Sequence, residues 1–411
     1  MPSLPLRLSH RLPWEGSPNR LTLAIEERQA RGLETIDLTE TNPTRVGLPY
    51  PEEELAEILG RAASPDYRPH PRGMAEAREA LAGHLSTPGD PVSPDSLVLT
   101  ASTSESYSFL FKLFADPGDE VLTPAPSYPL LDGLATLDSL VLRHFPLAPE
   151  QRFALDPELA AFNVSQRTRL LAVIHPGNPL GRFLTAEEQE ALARLCAERD
   201  LPLISDEVFA DYPLEPDLGA RRAGPAAALG DRGEALAFSL GGLSKSAGLP
   251  SWKLGWMRVG GPADLRRRAV AALEHVADSY LSVSTPVQRA LPGVLALLPR
   301  LQAMIRDRLL GNLRALRGEL SGVGNVELLP PQGGWSAVLR VVSPLSDEEL
   351  ALQLLERAGV LVHPGYFFDF ASEDFLVLSL LPEPNRFAEG VKRLAGSLSE
   401  TRRSLSHIWS K

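Results

Sequence analysis

Five short apolar runs follow one another through the middle of this chain, and they constrain its fold more than any other feature. They are Leu97-Val98-Leu99 and residues 170–174, 201–204, 235–240 and 254–259. Each is continuously apolar rather than alternating, as in strands covered on both faces. Helical patterns lie between some of them. The clearest covers 185–199, where Thr185 and Glu188 have capping-box spacing and Leu192, Leu195, Cys196 and Arg199 recur at helical intervals. Strand and helix in alternation predict an α/β fold on a mostly parallel sheet sandwiched by helices.

The character changes after Pro286. Residues 300–320 carry Leu301, Ile305, Leu309, Leu313 and Leu316 at helical spacing. Strand-like runs follow at 337–342, 360–362 and 375–381, with helical patterns at 347–358 and 387–398. This predicts a smaller α+β domain over 286–411, beginning at Ser284-Thr285-Pro286, and a large domain over 51–285. Residues 1–50 are Pro-rich and irregular, and are expected to form an arm joining the small domain.

Composition narrows the function classes. The chain has 411 residues, 44% hydrophobic and 23% charged, a globular balance with ample material for a core. No apolar run reaches the roughly 18–20 residues of a membrane helix, and Met1 to Gly16 lacks the apolar segment of a secretory signal. Cys196 is the single cysteine, which excludes an intrachain disulfide and a Cys-based metal cluster. A reducing cytoplasm is the simplest compartment. The net charge of −11 argues against a nucleic-acid partner, and the basic runs Arg266-Arg267-Arg268 and Arg402-Arg403 read as solvated faces. Lysine occurs at only five positions, 112, 245, 253, 392 and 411. Chemistry that needs a deprotonatable amine has few places to sit, because arginine stays charged.

In an open parallel sheet, ligands bind beyond the carboxyl ends of the strands. Four strands are followed by suggestive residues. Ser102-Thr103-Ser104 are either an ordinary helix cap or an anion cup suited to phosphate. Asn178, within His175-Pro176-Gly177-Asn178-Pro179-Leu180-Gly181, is either a turn residue or an amide aimed into a cleft. Asp206 is either a cap or an anion facing a cationic ligand group, since a buried carboxylate is costly without a partner. Lys245, after Gly241-Gly242-Leu243-Ser244, is either solvated or a reactive amine. Together these parts specify pyridoxal phosphate. The cup would hold the phosphate, Asp206 the protonated ring nitrogen, Asn178 the ring hydroxyl, and Lys245 the Schiff base. Tyr128 is the candidate to stack on the ring.

The order of these segments resembles the class I/II, fold-type I pyridoxal-phosphate aminotransferases over about 37–394. Further matching segments are Tyr67-Arg68-Pro69-His70-Pro71-Arg72-Gly73, Asp116-Pro117-Gly118-Asp119-Glu120-Val121, Gly333-Gly334-Trp335 and Pro364-Gly365. The resemblance implies a PLP-dependent transaminase that moves an amino group from an amino acid to a 2-oxo acid. It implies Lys245 as Schiff-base lysine and proton shuttle. It also implies a homodimer in which Tyr67 reaches the phosphate of the neighbouring subunit's cofactor, with the N-terminal arm covering the substrate cleft.

Three positions depart from the family. Its second phosphate cation, usually arginine, is Lys253, which supplies charge without the bidentate fork. Its tyrosine three residues after the aspartate is Phe209. Its arginine for the substrate's α-carboxylate aligns with Val377, which binds no anion. Either another arginine serves, with Arg45 and Arg72 the first candidates and Arg386 a surface residue, or the donor lacks a standard α-carboxylate. Other fold-type I enzymes (a lyase, a decarboxylase, a synthase) share the same cofactor set. A cofactor-binding regulator would need a DNA-binding domain, for which the first 40 residues are too short and too Pro-rich. Trp335, Tyr366 and Phe367 are candidates for the pocket wall. Phe209→Tyr is expected to lower the pKa of the Schiff base, read as a downward shift of its visible absorption titration.

Overall fold

The computed structural model describes residues 8–11, 18–215, 223–233 and 235–408, without the side chains of 230–232 and 401–408. Lys411, the side chains of Arg402-Arg403 and most of the stretch from Met1 to Gly16 lie outside the described residues.

The chain first forms a helix, Arg20–Ala30, capped by Asn19, and then the short strand β1 (Ile36–Asp37). The stretch expected to be irregular therefore holds a helix. Only Leu21 of that helix is buried, so its apolar signal was weak. The central sheet follows, built from β2 (Leu97–Thr100), β3 (Glu120–Ala125), β4 (Val141–Pro146), β5 (Thr168–Ile174), β6 (Leu203–Asp206), β7 (Ala237–Gly242) and β8 (Gly255–Gly260). Its order is β2-β8-β7-β6-β5-β3-β4. The pairs from β7 through β6, β5 and β3 to β4 are parallel, whereas β8 is antiparallel to both its neighbours. The link after β7 turns back at the edge where β7 ends, so the mostly parallel sheet closes with one reversed strand.

The continuous apolar runs are explained by two cores. Val98, Phe111, Phe238 and Met257 pack on one face of the sheet, and Leu122, Leu171, Val173 and Leu203 on the other. β4 carried no such run. It is an edge strand left largely uncovered, with Val141 and Arg143 exposed and only Phe145 buried. The capping box at Thr185 forms, with both its reciprocal bonds, at the head of the helix Ala186–Glu198. Cys196 is buried on that helix, and desolvation pushes its thiol up to about 12. Arg267 pairs with Asp264 on an exposed helix face.

Beyond the sheet runs one helix of 36 residues, Thr285–Leu320, with Pro292 and Pro299 inside it. The sequence pattern marked only its second half. An internal proline typically costs ~3 kcal/mol through a lost hydrogen bond and a clash. Burial outweighs this here. Leu291, Val294 and Leu298 join the core containing Leu81 and Trp256, while Ile305, Leu309, Leu313 and Leu316 join the core of the second sheet. That sheet contains β9 (Val326–Leu329), β10 (Ser336–Val341), β12 (His363–Pro364) and β13 (Phe375–Ser379) in the order β12-β13-β10-β9. β11 (Val360–Leu361) pairs in parallel with β1, which ties the N-terminal segment to this part of the chain.

Gly260 shows how tightly the central sheet is covered. An added Cβ there would stand 1.9 Å from the backbone oxygen of Ala227, which cannot retreat without moving a helix. Gly260→Ala is expected to destabilise the protein by about 3 kcal/mol, seen as a lower urea midpoint at unchanged slope.

Candidate active site

The carboxyl ends of β5, β6 and β7 meet at one edge of the central sheet and open onto a cavity of about 460 Å³. That volume suits a small organic ligand. The second sheet supplies its opposite wall. Ser102, Thr103, Ser104, Tyr128, Asn178, Asp206, Lys245 and Lys253 all line it. The structure thus gathers eight of the nine residues picked out from the sequence. The ninth, Tyr67, is 63% exposed and lines a separate opening beside Leu281 and Thr285. Within one chain it does not reach the cavity.

Lys245 sits on the single-turn helix Leu243–Ser246 directly after β7. The Tyr212 hydroxyl holds this turn, 2.7 Å from the Lys245 carbonyl oxygen and 2.9 Å from that of Ser246. The ammonium Nζ lies 4.9 Å from the centroid of Trp335 and 5.6 Å from that of Phe209. Burial among these rings pulls the amine below the ordinary lysine range, and Asp206 opposes that shift.

Asp206 ends β6, almost wholly buried, and accepts a hydrogen bond from the Val208 N–H at 3.2 Å. Desolvation pushes its carboxyl up to about 6, against the lowering influence of the Val208 bond, Tyr107 and Lys245. The Tyr107 hydroxyl is buried with no partner in good hydrogen-bond geometry and faces this carboxylate, whose charge helps raise the phenol. Glu207, next in sequence, faces away. It accepts from Ala226 N–H and from the Ser239 hydroxyl, and burial raises it to about 7. Adjacent strand residues alternate in direction, so only Asp206 enters the cavity.

Beyond β2, Ser102 caps the helix Thr103–Phe114 by accepting from Glu105 N–H at 3.2 Å. Thr103 and Ser104 form the first turn of that helix at the cavity wall. Lys253 adopts a left-handed backbone (φ 50°) and also lines the cavity. The Asn178 loop is fastened to the opposite wall through Gly181. An added Cβ there would meet the Gly333 carbonyl oxygen at 2.5 Å, and its own carbonyl accepts from Gly333 N–H at 2.8 Å. This contact seats Trp335 over Lys245.

Val377, buried in β13, lines the cavity, and no arginine does so among the described residues. Arg72 pairs with Glu274 at 2.6 Å and reaches the Asp95 carbonyl oxygen. Arg386 reaches the Thr35 carbonyl oxygen at the surface, and Arg45 is exposed away from the cavity. Arg45 and Arg72 therefore do not take the place of Val377 within the chain, and Arg386 is the surface residue expected. Trp335 and Phe367 form wall, as expected. Tyr366 does not, and points its hydroxyl toward Glu348, while Phe368 lines the wall instead. Thr39, Thr41 and His363 also line it, and no sequence signal had marked them.

The raised carboxyl of Asp206 has a stability consequence. An acid with a higher folded than unfolded pKa makes stability fall as pH rises between the two values, here from about 4 to about 6. Asp206→Asn removes this titration. In cofactor-free protein, the stability of the variant relative to the parent should grow over that window by up to roughly 3 kcal/mol and stay level above it. Urea unfolding at pH 4, 5, 6 and 7.5 measures it.

Comparison with known proteins identifies the lineage. The sequence model of the family Aminotransferase class I and II matches residues 55–393. The aspartate/prephenate aminotransferase of Thermus thermophilus is 29% identical over 385 residues, covering 90% of this chain and 93% of that one. The glutamate-pyruvate aminotransferase AlaA of Haemophilus influenzae is 24% identical, covering 94% and 95%. In structure, the alanine aminotransferase of Pyrococcus furiosus superposes with a TM-score of 0.86 at 24% identity, over 96% of this chain and 100% of that one. The fold is therefore that of the fold-type I aminotransferases, and the chain belongs to the class I and II aminotransferase family.

Proposed function

We propose that the cavity holds pyridoxal 5'-phosphate tethered to Lys245, and that the protein is a transaminase for donors with an apolar or aromatic body. The observation that carries this reading is one cavity holding a buried amine and a buried carboxylate, in which the amine is only a partial partner for the carboxylate. Asp206 favours a ligand that brings a positive charge. A protonated pyridine nitrogen is such a group, so the donor set fits the cofactor.

The remaining roles follow from what each residue offers. Thr103 and Ser104, at the head of the helix Thr103–Phe114, and the cation of Lys253 would hold the phosphate, with Ser102 keeping that helix start in shape. Asn178 would bond the ring hydroxyl, and Tyr128 would cover the ring face. Tyr67 would complete the neighbouring site in a homodimer, a reading supported by its exposure away from its own chain's cavity. The division at 285/286, with residues 1–50 joining the second domain, is part of the same reading, as is a cytoplasmic location. No helix among the described residues is long and apolar enough to cross a membrane.

When bound, the cofactor supplies an aldehyde for the amino group and a ring that accepts the electron pair of a breaking bond. The protein supplies the proton traffic. Lowered by burial, the Lys245 Nζ is more readily a free base than an exposed lysine, fit to take a proton and return it at a neighbouring atom. Phe209 and Trp335 lie against it and shield it from bulk water. The same apolar wall, with Val377 and Leu378, supports the donor class. The wall's lack of arginine among the described residues favours a second reading, in which the donor lacks an α-carboxylate.

Lys245→Ala should abolish the visible band that cofactor develops on binding, and reduce turnover by about 100- to 10,000-fold. Titrating the parent holoprotein with amino acids one by one, without a keto acid, should convert its absorption to the pyridoxamine form, and a keto acid should reverse it. A band that survives Lys245→Ala would overturn the assignment.

A further inference from the structure

We propose that His363 receives the carboxylate of the substrate, from the wall that the second sheet contributes. The inference rests on the reading that Lys245 marks the reacting end of the cavity. In the antiparallel pairing of β12 with β13, His363 stands directly across from Val377, and both line the cavity. Among the described residues of the wall, only three side chains can carry positive charge: Lys245, Lys253 and His363. The two lysines lie on the central-sheet side and are engaged by the cofactor in the proposed reading. An α-carboxylate at the other wall would otherwise sit beside Val377, Leu378, Phe367 and Phe368 with only the uncharged hydroxyls of Thr39, Thr41, Ser336 and Ser379 near it, and a buried charge without a counter-charge is costly.

The imidazole is available for this task. Phe367 and Phe368 hold the ring, with centroids 5.5 and 6.0 Å away. No protein group among the described residues hydrogen-bonds either ring nitrogen; Nδ1 is sealed from solvent and cavity alike, so the carboxylate would meet Nε2. Burial holds the empty site's imidazole below the ordinary histidine range, and Asp37, the one charged group acting on it, opposes this. Val377 and the two phenylalanines carry no charge, and the helix Asp347–Gln353 packed on this strand has its carboxylates engaged elsewhere, Asp347 accepting from the Tyr366 N–H, Glu348 pairing with Arg20 and Glu349 accepting from the Ser346 N–H. An arriving carboxylate reverses the balance, since an opposite charge within hydrogen-bond reach favours the imidazolium. Binding therefore takes up a proton. The neutral form dominates as pH rises, so affinity for a carboxylate weakens with pH. An arginine in this place would show no such dependence.

The experiment uses the holoenzyme, the amino acid that turns over fastest in the panel above, and the amine left when its carboxyl group is removed. For the parent, KM of the amino acid should rise with pH from the lower edge of the histidine range upward. Calorimetry with the corresponding 2-hydroxy acid, in two buffers of different ionisation enthalpy, should show proton uptake on binding. His363→Asn should raise KM for the amino acid by about 10- to 100-fold, the range for a hydrogen bond to a charged group. The loss should fall on KM rather than kcat, with the pH slope and the proton uptake gone. Binding of the carboxylate-free amine should be unaffected. His363→Arg should restore affinity without pH dependence, and melting temperatures would show that both variants are folded. Equal KM values for parent and His363→Asn, no turnover of any α-amino acid, or tighter binding of the amine than of the amino acid would each overturn the proposal. Loss of the visible band in Lys245→Ala separates this outcome from a failure of the cofactor reading.

Discussion

The parallel register of β5, β6 and β7 is the constraint from which the site follows. In a parallel sheet all strands end at the same edge, so whatever follows each strand converges there. Asn178, Asp206 and Lys245 are separated by 28 and 39 residues in sequence, yet Asp206 ends its strand and the other two follow theirs within four residues. The register Ile174↔Asp206↔Leu240 brings the three ends level. A slip of one residue would turn Asp206 away from the cavity and bring Glu207 in.

That edge is electrostatically uneasy. Burial drives both Asp206 and Lys245 toward their neutral forms, and each only partly relieves the other. Glu207 is satisfied by Ala226 and Ser239, as a structural carboxyl should be, whereas Asp206 is left with one backbone donor and the Tyr107 phenol beside it. Such incomplete satisfaction is expensive in a finished core but useful in a site that a charged ligand completes. It follows that a cationic ligand group stabilises the fold as well as using it.

The cavity has two walls because one helix, Thr285–Leu320, belongs to two cores, and because Gly181 lies against Gly333 too closely for any side chain. The wall from the second sheet is where this chain departs from its family's pattern. Val377 removes a fixed cation, and its cross-strand neighbour His363 is the group the structure offers instead.

Much of this was legible in the amino-acid sequence. Buried strands are continuous apolar runs, and the Thr185–Glu188 pair announced its helix, because these signals are local. The order of the polar segments marked Lys245, Asp206, Asn178 and the Ser102–Ser104 turn for the same reason. β4 escaped because an edge strand is poorly covered, with Phe145 its only buried residue, and the first half of the long helix escaped because its prolines argue locally against it. Tyr107, Tyr212, Thr39 and His363 carried no local signal at all. Their roles come from which strand lies beside which and which rings close over an amine, and so do the exclusion of Arg45, Arg72 and Arg386 from the cavity and the placing of Tyr67 outside it. Sequence determined the elements and the chemistry at their ends, since both depend on near neighbours. Only the tertiary structure decided which of those ends share a cavity, because that is set by packing between residues distant in sequence.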